Sequence, residues 1–339
     1  MAKSFGYLDH WQSALLIILF FLICFGLGYP TLNRYDPTKT QGTSDSTQYF
    51  NLVRTGPQDA EGHWRYRVLV PYLAKPFYRL AKTYIGSWNP ISFAMLVVNS
   101  AFVAISAYLL IILALILIGD YAIALLSALF YLLNFNISNL QLSGLVDSAE
   151  GCMILAVILS LVTGRWALLP LFGIIGALAK ETFVPLSGSL ALIYWLAAEA
   201  PKNRRIIQFM WVVGMGLGGV ITVMAIQSFI SGHLVLPWAI IASEKGSQNF
   251  FSGIFASLAN NSFWYLFIWL LPLGLIKLRY FPRPLVYACA GSAIIALILG
   301  GWNNSGGNIG RPIFETFGPI LTISLACFIF SFKKAVPNE

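Results

Sequence analysis

Charge is scarce in this sequence: Lys, Arg, Asp and Glu make up only 10% of its 339 residues, too little to clothe the surface of a soluble protein of that length. Cysteine is scarcer still. Cys24, Cys152, Cys289 and Cys327 fall singly inside apolar runs, with no CxxC pair and no neighbouring histidine, so they supply neither a disulfide framework nor a zinc site. His63 and His233 are isolated and lack metal-ligand spacing. No GxSG serine motif, internal repeat, low-complexity tract or Gly/Ser/Pro-rich linker occurs. A single integral domain over residues 1–339 is the economical reading.

What the sequence has in abundance is apolar residues, at 58%. About ten runs are candidates to cross roughly 30 Å of hydrocarbon: 13–28, 91–118, 121–135, 148–163, 166–179, 182–199, 207–230, 263–276, 285–301 and 313–331. The fold class expected is therefore an all-α polytopic membrane protein, its first run retained as a span rather than cleaved as a signal peptide. The formal charge of +8 sits mostly in short segments between the runs, as beside anionic headgroups, which argues for membrane lipid as a partner and against nucleic acid.

With both termini in the cytoplasm, the short inside loops hold ten basic residues and the short outside loops only Lys180, Lys245 and Arg311. That bias sets the orientation. It turns outward the long first loop, residues 29–90, together with Asp147, Glu150, Lys180, Glu181 and the "GWNNSGGNIGRPIFE" segment.

The first loop concentrates polar chemistry: residues 34–82 hold eight Lys/Arg and four Asp/Glu, 12 of the 34 charges in the chain. Over about 68–84 its periodicity predicts an interfacial amphipathic helix, with Lys75, Arg79 and Lys82 on one side and Leu69, Leu73, Phe77 and Leu80 on the other. Ahead of it, "SDSTQYFNLV" reads as a helix start in which Asp45 serves either as a cap or as a catalytic carboxylate. Asp36, before Pro37, reads first as a turn former.

An acidic residue in the first outward loop followed by a tyrosine (Asp45 and Tyr49), then "RYRVLVPYLA" and later "AKET" at 179–182, resembles the integral-membrane glycosyltransferases of the GT-C fold. That resemblance implies a sugar donor carried on polyprenyl phosphate, a catalytic acid at Asp45, and basic residues around the donor phosphate. The acceptor and the sugar stay open, and a bacterial inner membrane is the expected location. No cofactor is called for. No acidic pair stands beside Asp45, and a divalent ion is left open because Asp36 and Asp45 could meet in space.

The chemistry needs a base for the acceptor hydroxyl and positive charge where the departing phosphate gathers negative charge. Arg65, Arg67, Lys180 and Arg311 are the outward candidates for the phosphate. Lys180 and Glu181 lie between apolar runs, where an ionisable group costs roughly 2.5–3.5 kcal/mol or more at the bilayer centre and usually faces a protein cavity. They read equally as a mutual ion pair. Arg311 reads also as an interfacial anchor, and Asp147 first as a helix cap, with a place in the polar cavity alongside Tyr49, Asp36 and Glu181 as the alternative. A transporter or flippase for a lipid-linked or anionic substrate is the rival function, since short, Gly- and Pro-interrupted helices also suit a substrate path.

Overall fold

The computed structural model describes residues 9–34, 44–86, 88–239, 249–303 and 309–333. Asp36, Glu244 and Lys245 lie outside them. Within the described residues the chain is 85% helical and contains no strand. In order come α1 (His10–Arg34), α2 (Ser44–Arg54), α3 (Leu69–Tyr84), α4 (Pro90–Ile118), α5 (Tyr121–Leu133), α6 (Asp147–Val162), α7 (Leu169–Ala179), α8 (Phe183–Ala197), α9 (Lys202–Ser231), α10 (Phe250–Ala259), α11 (Asn261–Phe267), α12 (Leu270–Leu275), α13 (Arg283–Asn303) and α14 (Gly310–Lys333).

Five of these helices, α1, α4, α9, α13 and α14, are long and apolar enough to cross a membrane, and the bent α11–α12 pair makes six if taken as one broken span. This is compatible with an integral membrane protein. The remaining runs of the sequence form shorter helices of 10–17 residues or so, below the roughly 20 that a straight crossing takes.

Local chemistry sets the helix limits. Asn89 caps α4 by accepting from the amides of Ile91 at 3.0 Å and Ser92 at 3.3 Å, with Pro90 in the first turn where its missing amide is no loss. Gly119 then ends α4 in the left-handed region at φ 77°, and Asp120 caps α5 through the amides of Ala122 and Ile123. In α3 the small residues Ala74 and Ala81 join Val70 and Pro71 on the buried side, while Leu73, Phe77 and Leu80 are exposed.

α4 runs through the centre, packed by α1, α3, α5 and α6, and α14 lies against α5, α6, α12 and α13. α7 and α9 cross closely because glycine removes the side chains between them. A Cβ on Gly173 would stand 2.4 Å from the Met215 carbonyl oxygen, and one on Gly214 would meet Pro170 at 3.2 Å. Small residues at such crossings let backbones approach and gain dispersion contact. Because the atom facing Gly173 is backbone, Gly173→Val should force the helices apart and destabilise the protein by about 1–3 kcal/mol, read as a lowered unfolding temperature in detergent micelles. Gly188→Val, at a position with open space around it, is the control that should leave that temperature near wild type.

Candidate functional site

Five chain segments bring their polar residues to one place. α2 supplies Asp45, in its first turn, and Tyr49 one turn on. A short 3-10 turn, Gly62–Tyr66, carries His63 and leads into Arg67. The start of α6 supplies Asp147 and Glu150, and the break between α7 and α8 supplies Lys180, Glu181 and Thr182. The first turns of α14 supply Arg311 and Glu315.

The α6 entry is fixed by a buried amide. Asn99 on α4 donates to the Leu145 carbonyl at 2.9 Å and accepts from the Ser148 hydroxyl at 2.6 Å, bracketing Asp147. At the other break, Lys180 adopts extended backbone after α7 ends, so its side chain turns toward α6 instead of continuing a helical face.

Lys180 Nζ donates to Asp147 Oδ1 at 2.7 Å and pairs with Glu150 Oε2 at 2.8 Å. Arg311 Nη1 donates to the second Asp147 oxygen at 2.9 Å, and its Nη2 stands 3.7 Å from Asp45 Oδ2. Thr182 donates its hydroxyl to Glu150 Oε1 at 2.5 Å. Arg67 grips Glu181 through Nε, at 3.2 and 3.0 Å from its two oxygens, and through Nη2, while Nη1 donates to Tyr49 Oη at 2.8 Å.

These groups wall a cavity of about 270 Å³. Asp45, His63, Arg67, Lys180, Glu181 and Arg311 form its polar side, and Leu186, Leu299, Ile309 and Pro312 its apolar side. Burial alone would raise the Glu181 carboxyl, but the Arg67 charge and its hydrogen bonds override this and hold it down to about 2. Burial likewise opposes the charge on Lys180, and Asp147 and Glu150 reverse the effect, so its pKa is raised. The His63 imidazole is lowered, first by burial and then by Arg67, which keeps it neutral at physiological pH.

Most of the residues expected from the sequence meet here. Asp45, Arg67, Lys180, Glu181 and Arg311 line the cavity, Tyr49 orients Arg67, and Asp147 lies behind Lys180 and Arg311. Arg65, also expected near the phosphate, lies elsewhere. It is not part of the cavity wall and donates instead to Tyr66 Oη and, at 3.4 Å, to Ser231 at the end of α9, bracing the first loop.

Sequence reasoning gave no site role to Glu150, Glu315 or His63. Glu150 stands three residues after Asp147 and Glu315 four after Arg311, spacings that put each pair on one helix face. That was the available signal. Asp147, Glu150 and Glu315 offer ligand atoms within 4.8 Å of one another, a grouping of the kind that holds hard cations. The Lys180 ammonium already takes the position between Asp147 and Glu150.

The chain matches no known family model, and no curated protein is significantly similar to it.

Removing one partner of a buried ion pair strands the other charge, at a cost of about 3–5 kcal/mol. Glu181→Gln should lower stability by that order, and Arg67→Met in the same chain should recover part of it. The Glu181 pKa is depressed from 4.5 to about 2 in the folded protein, so its contribution is complete above the unfolded value and is lost as pH falls toward 2. Unfolding followed across that window should show a steeper acid decline in wild type than in Glu181→Gln. Parallel declines would remove the pair from the stability account.

Proposed function

We propose that the protein is a membrane glycosyltransferase of the GT-C type, moving a sugar from a polyprenyl-phosphate donor to an acceptor hydroxyl at the outer face of the membrane. The observation that carries this reading is the Asp45 carboxylate standing 3.7 Å from Arg311 in a cavity that Lys180 and Arg67 also line. A base and a stabiliser for the leaving group must act on one bound substrate, and these do share a cavity. Its 270 Å³ is near the lower end of the ~300–1,000 Å³ typical of small-molecule sites, and one side is apolar, which suits a phosphate joined to a hydrocarbon chain.

In the proposed reaction the acceptor oxygen attacks the anomeric carbon while its proton passes to Asp45. The bond from that carbon to the phosphate oxygen breaks, and its electron pair stays on polyprenyl phosphate. Lys180 donates to Asp147 and stands in ion-pair contact with Glu150, and Arg311 uses one face on Asp147, so both retain donors for phosphate oxygens. Arg67 spends its fork on Glu181 and Tyr49. In this reading it orders the wall rather than binding the donor.

The proposed membrane arrangement has about ten crossings, the shorter helices α5 to α8 completing the bundle, both termini in the cytoplasm, and α3 lying in the outer interface. What supports the placement of α3 is its exposed stripe of Leu73, Phe77 and Leu80 beside the basic Lys75, Arg79 and Lys82. A transporter or flippase is the second reading. The observation favouring it is the 42° bend between Asn261–Phe267 and Leu270–Tyr280, a broken helix of the kind that gates substrate paths.

Purified protein in liposomes should transfer labelled sugar from a polyprenyl-phosphate donor. Asp45→Asn should cut the rate about 10²–10⁴-fold, the usual worth of a positioned base, while the variant unfolds at the wild-type temperature. Full transfer by Asp45→Asn would remove that residue from the mechanism. Movement of the lipid across the bilayer with no transfer would favour the second reading.

A further inference from the structure

Behind the cavity, α14 places Glu315 one turn below Arg311, with only 1% of its surface exposed. Both of its carboxyl oxygens are buried and have no hydrogen-bond donor among the described residues. Its neighbours are Asp147 and Glu150, the ligand oxygens of the three lying within 4.8 Å of one another.

The positive charge here is already assigned. Lys180 serves Asp147 and Glu150, Arg311 serves Asp147 and Asp45, and Arg67 is occupied by Glu181. Among the described residues, the three carboxyl groups of Asp147, Glu150 and Glu315 therefore share the Lys180 ammonium and one arm of Arg311. In a low-dielectric interior an unmatched carboxylate is far costlier than a neutral acid, and adjacent carboxyl groups relieve this by sharing a proton.

A second observation points to the same spot. Gln141 is fully buried and neither atom of its amide has a partner among the described residues. A Cβ on Gly151 would lie 3.3 Å from Gln141 Nε2 and also 3.3 Å from Glu315 Cγ, with Tyr131 Oη at 3.7 Å, so the three side chains converge on the same side of Gly151. Gln141 is delivered by a π-helical turn, Asn136–Gln141, a wide local geometry that recurs at functional positions.

We propose that Glu150 and Glu315 bind one proton between them, Glu315 standing as a neutral carboxylic acid whose O–H is donated to Glu150. As carboxylates neither could donate to the other. With the proton in place, the contact becomes a hydrogen bond that fixes the Glu150 carboxylate against Lys180 and Thr182. Glu315 is thus a positioning residue: it never reaches the cavity, and it sets where the Lys180 ammonium stands within it. The groups facing the pair are Asp147 on α6, Lys180 and Thr182 from the α7–α8 break, Tyr131 on α5, Gln141 and, on α14 itself, Arg311. The inference holds whatever the cavity binds, and its test does not depend on sugar transfer.

The infrared spectrum of the full-length protein in lipid at neutral pH should contain the C=O stretch of a protonated carboxyl group. That band should move when glutamate labelled at its carboxyl carbon is incorporated, and should vanish in Glu315→Gln. Glu315→Gln should unfold near the wild-type temperature, because its amide donates to Glu150 as the acid did. If that variant does not fold, the isotope shift in the wild-type protein decides. A labelled wild-type spectrum with no protonated glutamic acid overturns the proposal. So does stabilisation of the protein by Mn²⁺ or Ca²⁺ that a chelator reverses and Glu315→Gln abolishes, since a metal ion would then hold the place of the proton.

Discussion

Lys180, held 2.7 Å from Asp147 and 2.8 Å from Glu150, is the interaction on which the rest of the site depends. Burying an ammonium costs several kcal/mol of lost hydration, and only a close, well-hydrogen-bonded arrangement of opposite charge offsets it. Here the offset comes from α6, while the lysine comes from the break between α7 and α8, so the ion pair fixes one segment against the other. Arg311 adds α14 by taking the second oxygen of Asp147. The next residue, Glu181, binds Arg67 and so fastens the first loop to the same point. A three-residue interruption between two apolar helices thus gathers three remote parts of the chain: α6, α14 and the first loop.

The cavity that results has two kinds of wall for a physical reason. Charged groups cannot face lipid, so the bundle turns them inward at helix ends, where broken backbone is covered by protein. Beyond Arg311 the walls return to the apolar residues of α8, α13 and α14, such as Leu186, Leu299 and Pro312. Polar and apolar surfaces therefore meet within one small space. A ligand with an anionic head and a hydrocarbon continuation matches that junction better than a wholly polar solute does.

Much of this was legible in the sequence, and for identifiable reasons. Lys180, Glu181 and Arg311 stood out because an ionisable group beside an apolar run demands an explanation. Asp45 and Arg67 stood out because the first loop holds over a third of all the charges. Arg65 could not be told from Arg67, since the turn that sends one toward Glu181 and the other toward Ser231 is a matter of backbone geometry. Glu150 and Glu315 lay within runs read as membrane spans, and their partners come from other helices. The number of crossings was the least legible feature: an apolar run signals burial, and helices such as α6 are buried by their protein neighbours over most of their length.

The proposed ligand of the cavity is a lipid-linked phosphate held against Arg311 and Lys180. Direct binding of polyprenyl phosphate to the purified protein, followed by equilibrium binding of the radiolabelled lipid, tests it without assuming any reaction. Saturable binding that polyprenol lacking the phosphate does not reproduce, and that weakens at least about tenfold in Arg311→Gln as loss of one charge-assisted hydrogen bond implies, is the predicted result. Equal affinity for the phosphate and the alcohol, or binding unchanged in Arg311→Gln, would contradict it.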